Sequence, residues 1–274
     1  MLLIRDIAGV SEIRAVEALQ KEVWGSDDLD VVPLTMLVAS REVGATLIGA
    51  YDDETLIGFV YGFTGYEHNQ VTHHSHMLAV KPAYRNHQLG FKLKLAQRDR
   101  VLAQGIARIT WTFDPLQSLN AHLNFAKLGV VSDTYKQNFY GEATSSFLHQ
   151  IGTDRLWVSW LLDTKRVRER VQNERVKKEQ LFESADIPVL VRVSSGSAPE
   201  SFENLGSPRV AIEIPWDINA LQRRQPELAL AWRQATRAAF TNALDAKYLV
   251  EEFGSVSRND GSVGVYLLSL RQES

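Results

Sequence analysis

The sequence contains no cysteine, and this absence removes several kinds of chemistry. Disulfide bonds, thiolate metal sites and a thiol nucleophile are all excluded. A chain without cysteine suits a reducing compartment, so we expect the protein in the cytoplasm. No apolar stretch reaches the length of a membrane span, and the charges of Arg5 and Asp6 interrupt the N-terminal segment before a signal-peptide core could form. We therefore predict neither export nor a membrane partner.

A strong excess of charge of either sign is also missing. The chain has 30 Lys and Arg against 33 Asp and Glu, which gives a formal net charge of -3. This balance gives no reason to expect nucleic acid as a partner. The 274 residues are 45% hydrophobic, which is enough for the core of one large domain or two modest ones.

The segment from residue 73 to residue 105 reads as a strand, a polar loop and a helix. The apolar run at residues 77–80 predicts the strand, which ends before Pro82 because proline has no amide hydrogen for a sheet. Gly90 lets the backbone of the loop approach a ligand closely. The helix is predicted by apolar residues at helical spacing, namely Leu89, Leu93, Ala96 and Val101. Its unpaired N-terminal amides form a site for an anionic group such as phosphate or pyrophosphate.

The rest of the sequence alternates predicted strands and helices. Before this segment, apolar spacing and turn residues predict a strand, two helices and a two-stranded hairpin, at residues 2–7, 10–24, 34–42, 46–51 and 56–63. After it, they predict a strand, a helix, an extended segment and a strand, at residues 108–113, 116–128, 130–140 and 155–163. The remainder is predicted to hold a charge-dense helix, three strands and an amphipathic helix, at residues 164–185, 189–193, 209–214, 263–270 and from Pro226.

Two motifs carry a resemblance to a known family. From Val80 to Gly90, the pattern V-x-P-x-Y-R-x-x-Q-x-G resembles the V-x-P-x-Y-R-x-x-G-x-G/A signature of the Gcn5-related N-acetyltransferase (GNAT) superfamily, with Gln88 in place of the first glycine. From Asn120 to Val130, the sequence resembles the N-x-x-A-x-x-x-Y segment of the same superfamily. The resemblance implies an α/β fold with a mixed, mostly antiparallel twisted sheet flanked by helices. It extends over residues 1–163, which leaves residues 164–274 as a C-terminal α/β extension packed on the first domain.

The resemblance also implies a ligand and its contacts. The ligand is acetyl-coenzyme A or another acyl-coenzyme A, bound as a co-substrate without a metal. Residues of the strand, the loop and the following two helices are implied to bind it: Leu78, Ala79, Val80, Arg85, Asn86, His87, Gln88, Leu89, Gly90, Phe91, Lys92 and Asn120. The chain further resembles a less characterised branch with a C-terminal extension, some of whose members are thought to N-acylate amino acids.

The general acid and base are harder to assign. Many relatives have a tyrosine acid at the position of Phe125, which has no hydroxyl, so we assign this role to Tyr140 and, as a weaker choice, Tyr135. The base is sought in the cluster of residues 73–76, because neutral imidazole titrates near physiological pH. Strand alternation places His74 and His76 on one face, and His76 is our choice. Three further candidates for substrate contact are Glu67, His68 and Asp114, the last more readily a helix cap.

The resemblance implies an acyl-coenzyme A dependent N-acyltransferase, and we expect it to act on a small amine such as an amino acid. Acetyl and succinyl transfer both remain open. The alternative is a relative that binds coenzyme A but has lost catalysis, as Gln88 and Phe125 would allow. A third reading, nucleic-acid binding through residues 164–185, is less favoured because glutamates are interspersed there. The sequence leaves open whether the chain forms a homodimer.

Overall fold

The computed structural model describes residues 2–25, 30–141, 150–172, 187–194, 196–258 and 261–271. By its internal contacts the chain divides into two units, residues 1–111 with 161–164, and residues 112–160 with 165–274. This division falls within a strand at Trp111, and not after residue 163 as the predicted domain boundary does. The boundary after residue 163 stays a prediction.

The first unit is an α/β layer whose elements follow the predicted order. Its strands and helices are β1 (Leu2–Asp6), α1 (Val10–Trp24), α2 (Leu34–Glu42), β2 (Thr46–Asp52), β3 (Thr55–Glu67), β4 (Gln70–Val80), α3 (Leu89–Ala103) and β5 (Arg108–Phe113, entering the second unit after Trp111). The strands pair in the order β1-β2-β3-β4-β5, and all pairs are antiparallel except β4 with β5. The predicted fold class, a mixed α/β fold with a mostly antiparallel twisted sheet, is confirmed.

Both faces of this sheet are covered by helices, which we call the α1 face and the α3 face. On the α1 face, apolar residues of α1 and α2 pack against Phe59, Tyr61 and Ala79. On the α3 face, Leu89 and Leu93 pack against apolar residues of β2, β3 and β4, namely Ile48, Ala50, Val60, Leu78 and Val80. Burial of apolar surface on both faces holds the strands in register.

The second unit has its own sheet and helices. Its elements are α4 (Ser118–Ala121), a π-helix (His122–Leu128), β6 (Val131–Lys136), β7 (Arg155–Leu161), α5 (Lys165–Val171), β8 (Val189–Val193), β9 (Pro199–Ser201), β10 (Arg209–Pro215), α6 (Ile218–Arg224), α7 (Pro226–Asp245), β11 (Tyr248–Arg258) and β12 (Gly261–Leu270). The strands pair in the order β7-β6-β11-β12-β10-β8-β9. Only β8 and β10 pair in parallel among the described strands of this unit.

The charge-dense segment is described only as far as residue 172, and α5 is its described helix. Two of its basic side chains bind within the unit rather than pointing to solvent. Arg170 is buried and binds Glu252 at 2.5 Å, and Arg166 lies 3.1 Å from the same carboxylate. Residues 173–185 of the predicted charge-dense helix lie outside the described residues, and so does most of the proposed nucleic-acid surface.

Candidate active site

The centre of the candidate site is β4, which carries a β-bulge at His76. Tyr61 of β3 is opposite Met77, whereas the next residue, Gly62, is opposite Ser75. His76 is therefore the extra residue of β4 and has no partner of its own on β3. Because of the bulge, the consecutive side chains of His76 and Met77 both lie on the α1 face. The ring of His76 contacts that of Tyr61, and Met77 packs against the apolar cluster that contains Tyr61.

The α1 face of β4 presents two histidines to a group of aromatic rings. The ring of His76 lies 6.2 Å from Tyr61, 5.9 Å from Phe63 and 6.3 Å from His74, measured between ring centroids. The predicted placement of His74 and His76 on one face is confirmed by these contacts. His76 is exposed and His74 is half-buried. Desolvation by the surrounding rings lowers the pKa of both, that of His74 to about 4, so both are neutral near pH 7.

His74 is joined to a carboxylate through a threonine of the neighbouring strand. Its Nδ1 lies 3.3 Å from Oγ1 of Thr110, which pairs with His74 in the parallel β4–β5 ladder. The hydroxyl of Thr110 donates to Oε1 of Glu67 at 2.8 Å. Glu67, at the end of β3, also lies 3.7 Å from Arg108. His68 follows in the turn, where it is exposed and has a positive φ of 50°.

The α3 face of β4 holds a separate, buried polar network. Nζ of Lys94 donates to Oγ of Ser75 at 2.7 Å and lies 3.6 Å from the centroid of the Trp111 ring. Nε2 of His73 lies 3.0 Å from Oγ1 of Thr46, and its Nδ1 has no hydrogen-bond partner. Burial lowers the pKa of Lys94 well below its usual value and lowers that of His73 to about 4, Lys94 adding to the effect on His73.

The loop between β4 and α3 ends in a left-handed residue directly before the helix. A 3₁₀-helix (Pro82–His87) ends at Gln88, which has φ 56° and ψ 21°. This left-handed conformation is the one that glycine adopts without steric cost, and it explains why the superfamily has glycine at this position. Helix α3 begins at the next residue, and no side chain caps its N-terminus. The hydroxyl of Tyr84 fastens the loop to β2 by donating to Asp52 at 3.0 Å.

The side chains predicted to bind the co-substrate divide into two groups. Exposed ones surround the start of α3 and include Arg85, His87, Gln88 and Lys92, while Gly90 is half-buried. The others are buried or half-buried, namely Leu78, Ala79, Val80, Leu89 and Phe91. Their side chains are apolar, so these residues can make polar contacts with a ligand only through their backbone atoms. The side chain of Asn86 lies outside the described ones. The uncapped helix end with its exposed cations fits an anionic pyrophosphate.

Part of the chain, including β4, the loop and α3, matches a model of a known protein family. Residues 11–130 match the model of the acetyltransferase (GNAT) family, from the first turn of α1 to just past the π-helix. These residues, 120 of the 274, match the GNAT acetyltransferase family. The family resemblance recognised in the two sequence motifs is thereby confirmed, because both motifs lie inside the matched region.

Known structures resemble part of this chain at low identity. The ribosomal-protein-S18-alanine N-acetyltransferase from Escherichia coli has 14% identity and a TM-score of 0.47, covering 60% of this chain and 96% of that one. The structure of yncA from Salmonella typhimurium with its cofactor acetyl-CoA has 16% identity and a TM-score of 0.46, covering 60% and 95%. No curated protein matches this chain.

The remaining predicted site residues belong to the second unit. Asn120 is exposed on α4, next to a π-helix, a rare element that is frequent at functional sites. Phe125 of this π-helix is fully buried between the rings of Phe113 and Tyr266. The position at which many GNAT members have a tyrosine acid is thus filled by core packing.

Tyr140 lies in a turn whose backbone is fixed by hydrogen bonds within the second unit. Its hydroxyl lies 3.5 Å from Oγ1 of Thr112, and the guanidinium of Arg155 lies 5.2 Å from its ring centroid. The backbone amide of Tyr140 donates to Thr153, and two residues earlier the amide of Asn138 donates to Asp154. The side chain is 46% exposed, so it can meet a ligand from solvent.

Two other candidates are occupied by buried contacts. The hydroxyl of Tyr135 donates to Asp154 at 2.6 Å, and burial beside this carboxylate raises its pKa far above the usual value, which disfavours it as an acid. Asp114 is buried, accepts from the amide of Leu116 and binds Arg233 at 2.7 Å. Asp114 thus closes a local turn, and it does not cap the next helix as the sequence favoured, because α4 has Gln117 at its N-cap and no side-chain cap.

Two findings concern metals and membranes. Among the residues that the structure describes, no three His, Asp or Glu side chains come close enough to hold a metal ion. Within the same residues, every helix is too short or too polar to cross a bilayer.

Proposed function

We propose that this protein is an acyl-coenzyme A dependent N-acyltransferase that transfers an acetyl or succinyl group to a small amine such as an amino acid. The observation that carries the proposal is the continuous arrangement of β4, the left-handed Gln88 and the uncapped start of α3. This arrangement lies inside the part of the chain that matches the GNAT acetyltransferase family model. It offers a bulged strand to the acyl arm and free helix amides to the pyrophosphate.

The co-substrate would be held mainly by backbone groups and exposed cations. Amides from Gln88 to Phe91, near the positive end of the α3 dipole, would bind the pyrophosphate. Arg85 of the loop and Lys92 in the first turn of α3 are both exposed and would add charge-assisted hydrogen bonds. The backbone of residues 78–80 would bind the pantetheine arm and polarise the thioester carbonyl.

In the proposed reaction the amine attacks the thioester directly. The C–N bond forms, the C–S bond breaks, the attacking nitrogen gives up a proton, and the coenzyme A thiolate takes one up. His76 is exposed, neutral near pH 7 and placed at the bulge, so it is our proposed acceptor for the amine proton. Tyr140 is our proposed proton donor to the thiolate, because its side chain is exposed and its backbone amide is fixed by a hydrogen bond to Thr153.

Calorimetric titration with acetyl- and succinyl-coenzyme A tests the binding half of the proposal. We expect saturable binding of at least one of them, weakened about tenfold by Arg85→Gln or Lys92→Gln, since each loses one charge-assisted contact. Arg100→Gln is the matched control, because Arg100 lies at the other end of α3 and binds Asp6. Absence of binding to both thioesters would refute the proposal.

A second candidate, a relative that binds coenzyme A without catalysis, is favoured by Phe125 and Gln88. A thiol-release assay against a panel of amino acids and small amines separates the two candidates. Release that depends on an amine, and that falls in Tyr140→Phe and His76→Ala, supports the transferase. Binding of the thioester with no release for any amine supports the non-catalytic relative.

A further inference from the structure

The contacts of Thr110 determine which nitrogen of His74 carries a proton. The Thr110 hydroxyl has one hydrogen, and it donates this hydrogen to the carboxylate of Glu67 at 2.8 Å. At the 3.3 Å contact with His74, Thr110 Oγ1 must therefore be the acceptor, and Nδ1 of His74 must be the donor. In a neutral ring the other nitrogen, Nε2, is then the basic one.

The surroundings of His74 disfavour a lasting positive charge on its ring. Desolvation, the neighbouring His76 and Lys94 across the sheet all lower the pKa of His74, and the carboxylate of Glu67 only partly opposes them. A proton that arrives at Nε2 is therefore retained only weakly as imidazolium. The ring can accept this proton at Nε2 without becoming an imidazolium if the proton on Nδ1 leaves at the same time. The side chain at the far end, Glu67, is 22% exposed and lies beside Arg108.

We propose that His74, Thr110 and Glu67 form a proton relay that removes the amine proton from the α1 face of β4. The proposal rests on the transferase function argued above. A proton released by the amine to His76 crosses the 6.3 Å between the two ring centroids through one bridging water. A bond forms between this proton and Nε2 of His74, while the Nδ1–H bond breaks and an O–H bond forms on Thr110. The original Thr110 hydrogen moves to Oε1 of Glu67, which later gives it to solvent.

The relay assigns positioning roles to two residues that neither sequence motif contains. Glu67 orients the Thr110 hydroxyl, and Thr110 fixes the tautomer of His74. This is the logic by which a carboxylate orients a catalytic histidine, here with a hydroxyl inserted between the two groups.

The tautomer can be tested without any substrate. Long-range ¹H–¹⁵N spectra of the full chain with labelled histidine, with the His74 signal assigned through His74→Gln, report which ring nitrogen is protonated. We expect the Nδ1–H form in the wild type and in Thr110→Ser, and a shift towards Nε2–H in Thr110→Val and Glu67→Gln. Thr72→Val is the matched control, because Thr72 is a buried residue of β4 that donates to the carbonyl of Arg108. An Nε2–H form in the wild type would overturn the relay.

Kinetics with the amine found in the thiol-release assay test proton transfer itself. We expect Thr110→Val and Glu67→Gln to lower kcat about 10- to 100-fold with KM for the thioester unchanged, and Thr110→Ser and Thr72→Val to stay near the wild type. If the wild type turns over the amine and Thr110→Val has the same kcat, the relay is overturned but the proposed function is not. A wild type that turns over no amine would overturn the proposed function and the relay with it.

Discussion

The buried His73 predicts a specific loss of stability in acid. Its ring is fully buried on the α3 face, where desolvation, Lys94 and His74 lower its pKa from 6.5 to about 4. The unfolded chain therefore binds more protons than the folded one between these two pKa values. Stability rises with pH through this window and is lost as pH falls from 6.5 towards about 4.

The magnitude follows from the difference between the two pKa values. At 1.36 kcal/mol per pKa unit, full titration of His73 costs about 3 kcal/mol, and about 2 kcal/mol of this is already lost near pH 5. A glutamine cannot titrate, yet it can still reach Oγ1 of Thr46, which lies 3.0 Å from Nε2 of His73. His73→Gln should therefore be less sensitive to acid than the wild type by this amount.

The assay is urea unfolding at a series of pH values from neutral to about pH 5, followed by far-UV circular dichroism and by hydrogen exchange of β4 peptides. Carboxylates elsewhere titrate equally in both proteins, so the difference between their free energies of unfolding isolates His73. We expect this difference to change by about 2 kcal/mol over the series. His87→Gln, at an exposed histidine of the loop, should follow the wild type. Parallel curves for the wild type and His73→Gln would refute the reasoning.

Three further predictions concern stability. Gln88→Gly should raise the free energy of unfolding by about 0.5–1 kcal/mol in thermal melts, because glycine adopts the left-handed conformation without strain; a lower melting temperature would contradict this. Lys94→Met should stabilise the protein at neutral pH by about 1 kcal/mol or more in urea, since the folded state disfavours the charged amine. That advantage should shrink as pH rises towards 10.5, where the unfolded lysine also loses its proton. Arg233→Met should cost about 3–5 kcal/mol in urea because it leaves Asp114 buried and unpaired, whereas Arg224→Met, at an exposed arginine, should cost little.

Local sequence signals were sufficient for many elements. The bounds of α1, α2 and β5 were predicted as the structure has them, because apolar spacing and flanking turn residues all point to the same ends. Strands β3 and β4 extend further than predicted, since their polar ends lack a clear alternation. Strand β11 was missed because charged Glu251 and Glu252 interrupt its apolar pattern. The helix predicted at residues 116–128 is instead a short α-helix followed by a π-helix, two forms that side-chain spacing does not distinguish.

The candidate site was only partly accessible from the sequence. The motif placed the loop and the start of α3, and strand alternation placed His74 and His76 on one face. The contact of Thr110 with Glu67 joins residues that are 43 positions apart, and no local pattern indicates it. The burial of Lys94 was equally hidden, because lysine on a helix is usually exposed and here it lies under the sheet against Trp111.

The bulge at His76 has a consequence for how the length of β4 can change. In a bulge two consecutive side chains share a face, here those of His76 and Met77, so the extra residue leaves the faces of the residues beyond it unchanged. Deleting His76 would make Ser75 and Met77 neighbours, opposite Gly62 and Tyr61, with which they already pair. The strand would then alternate regularly, with His73 still on the α3 face and His74 still on the α1 face. We therefore expect the fold to tolerate both substitution and deletion at position 76, whereas either change would remove the proposed base.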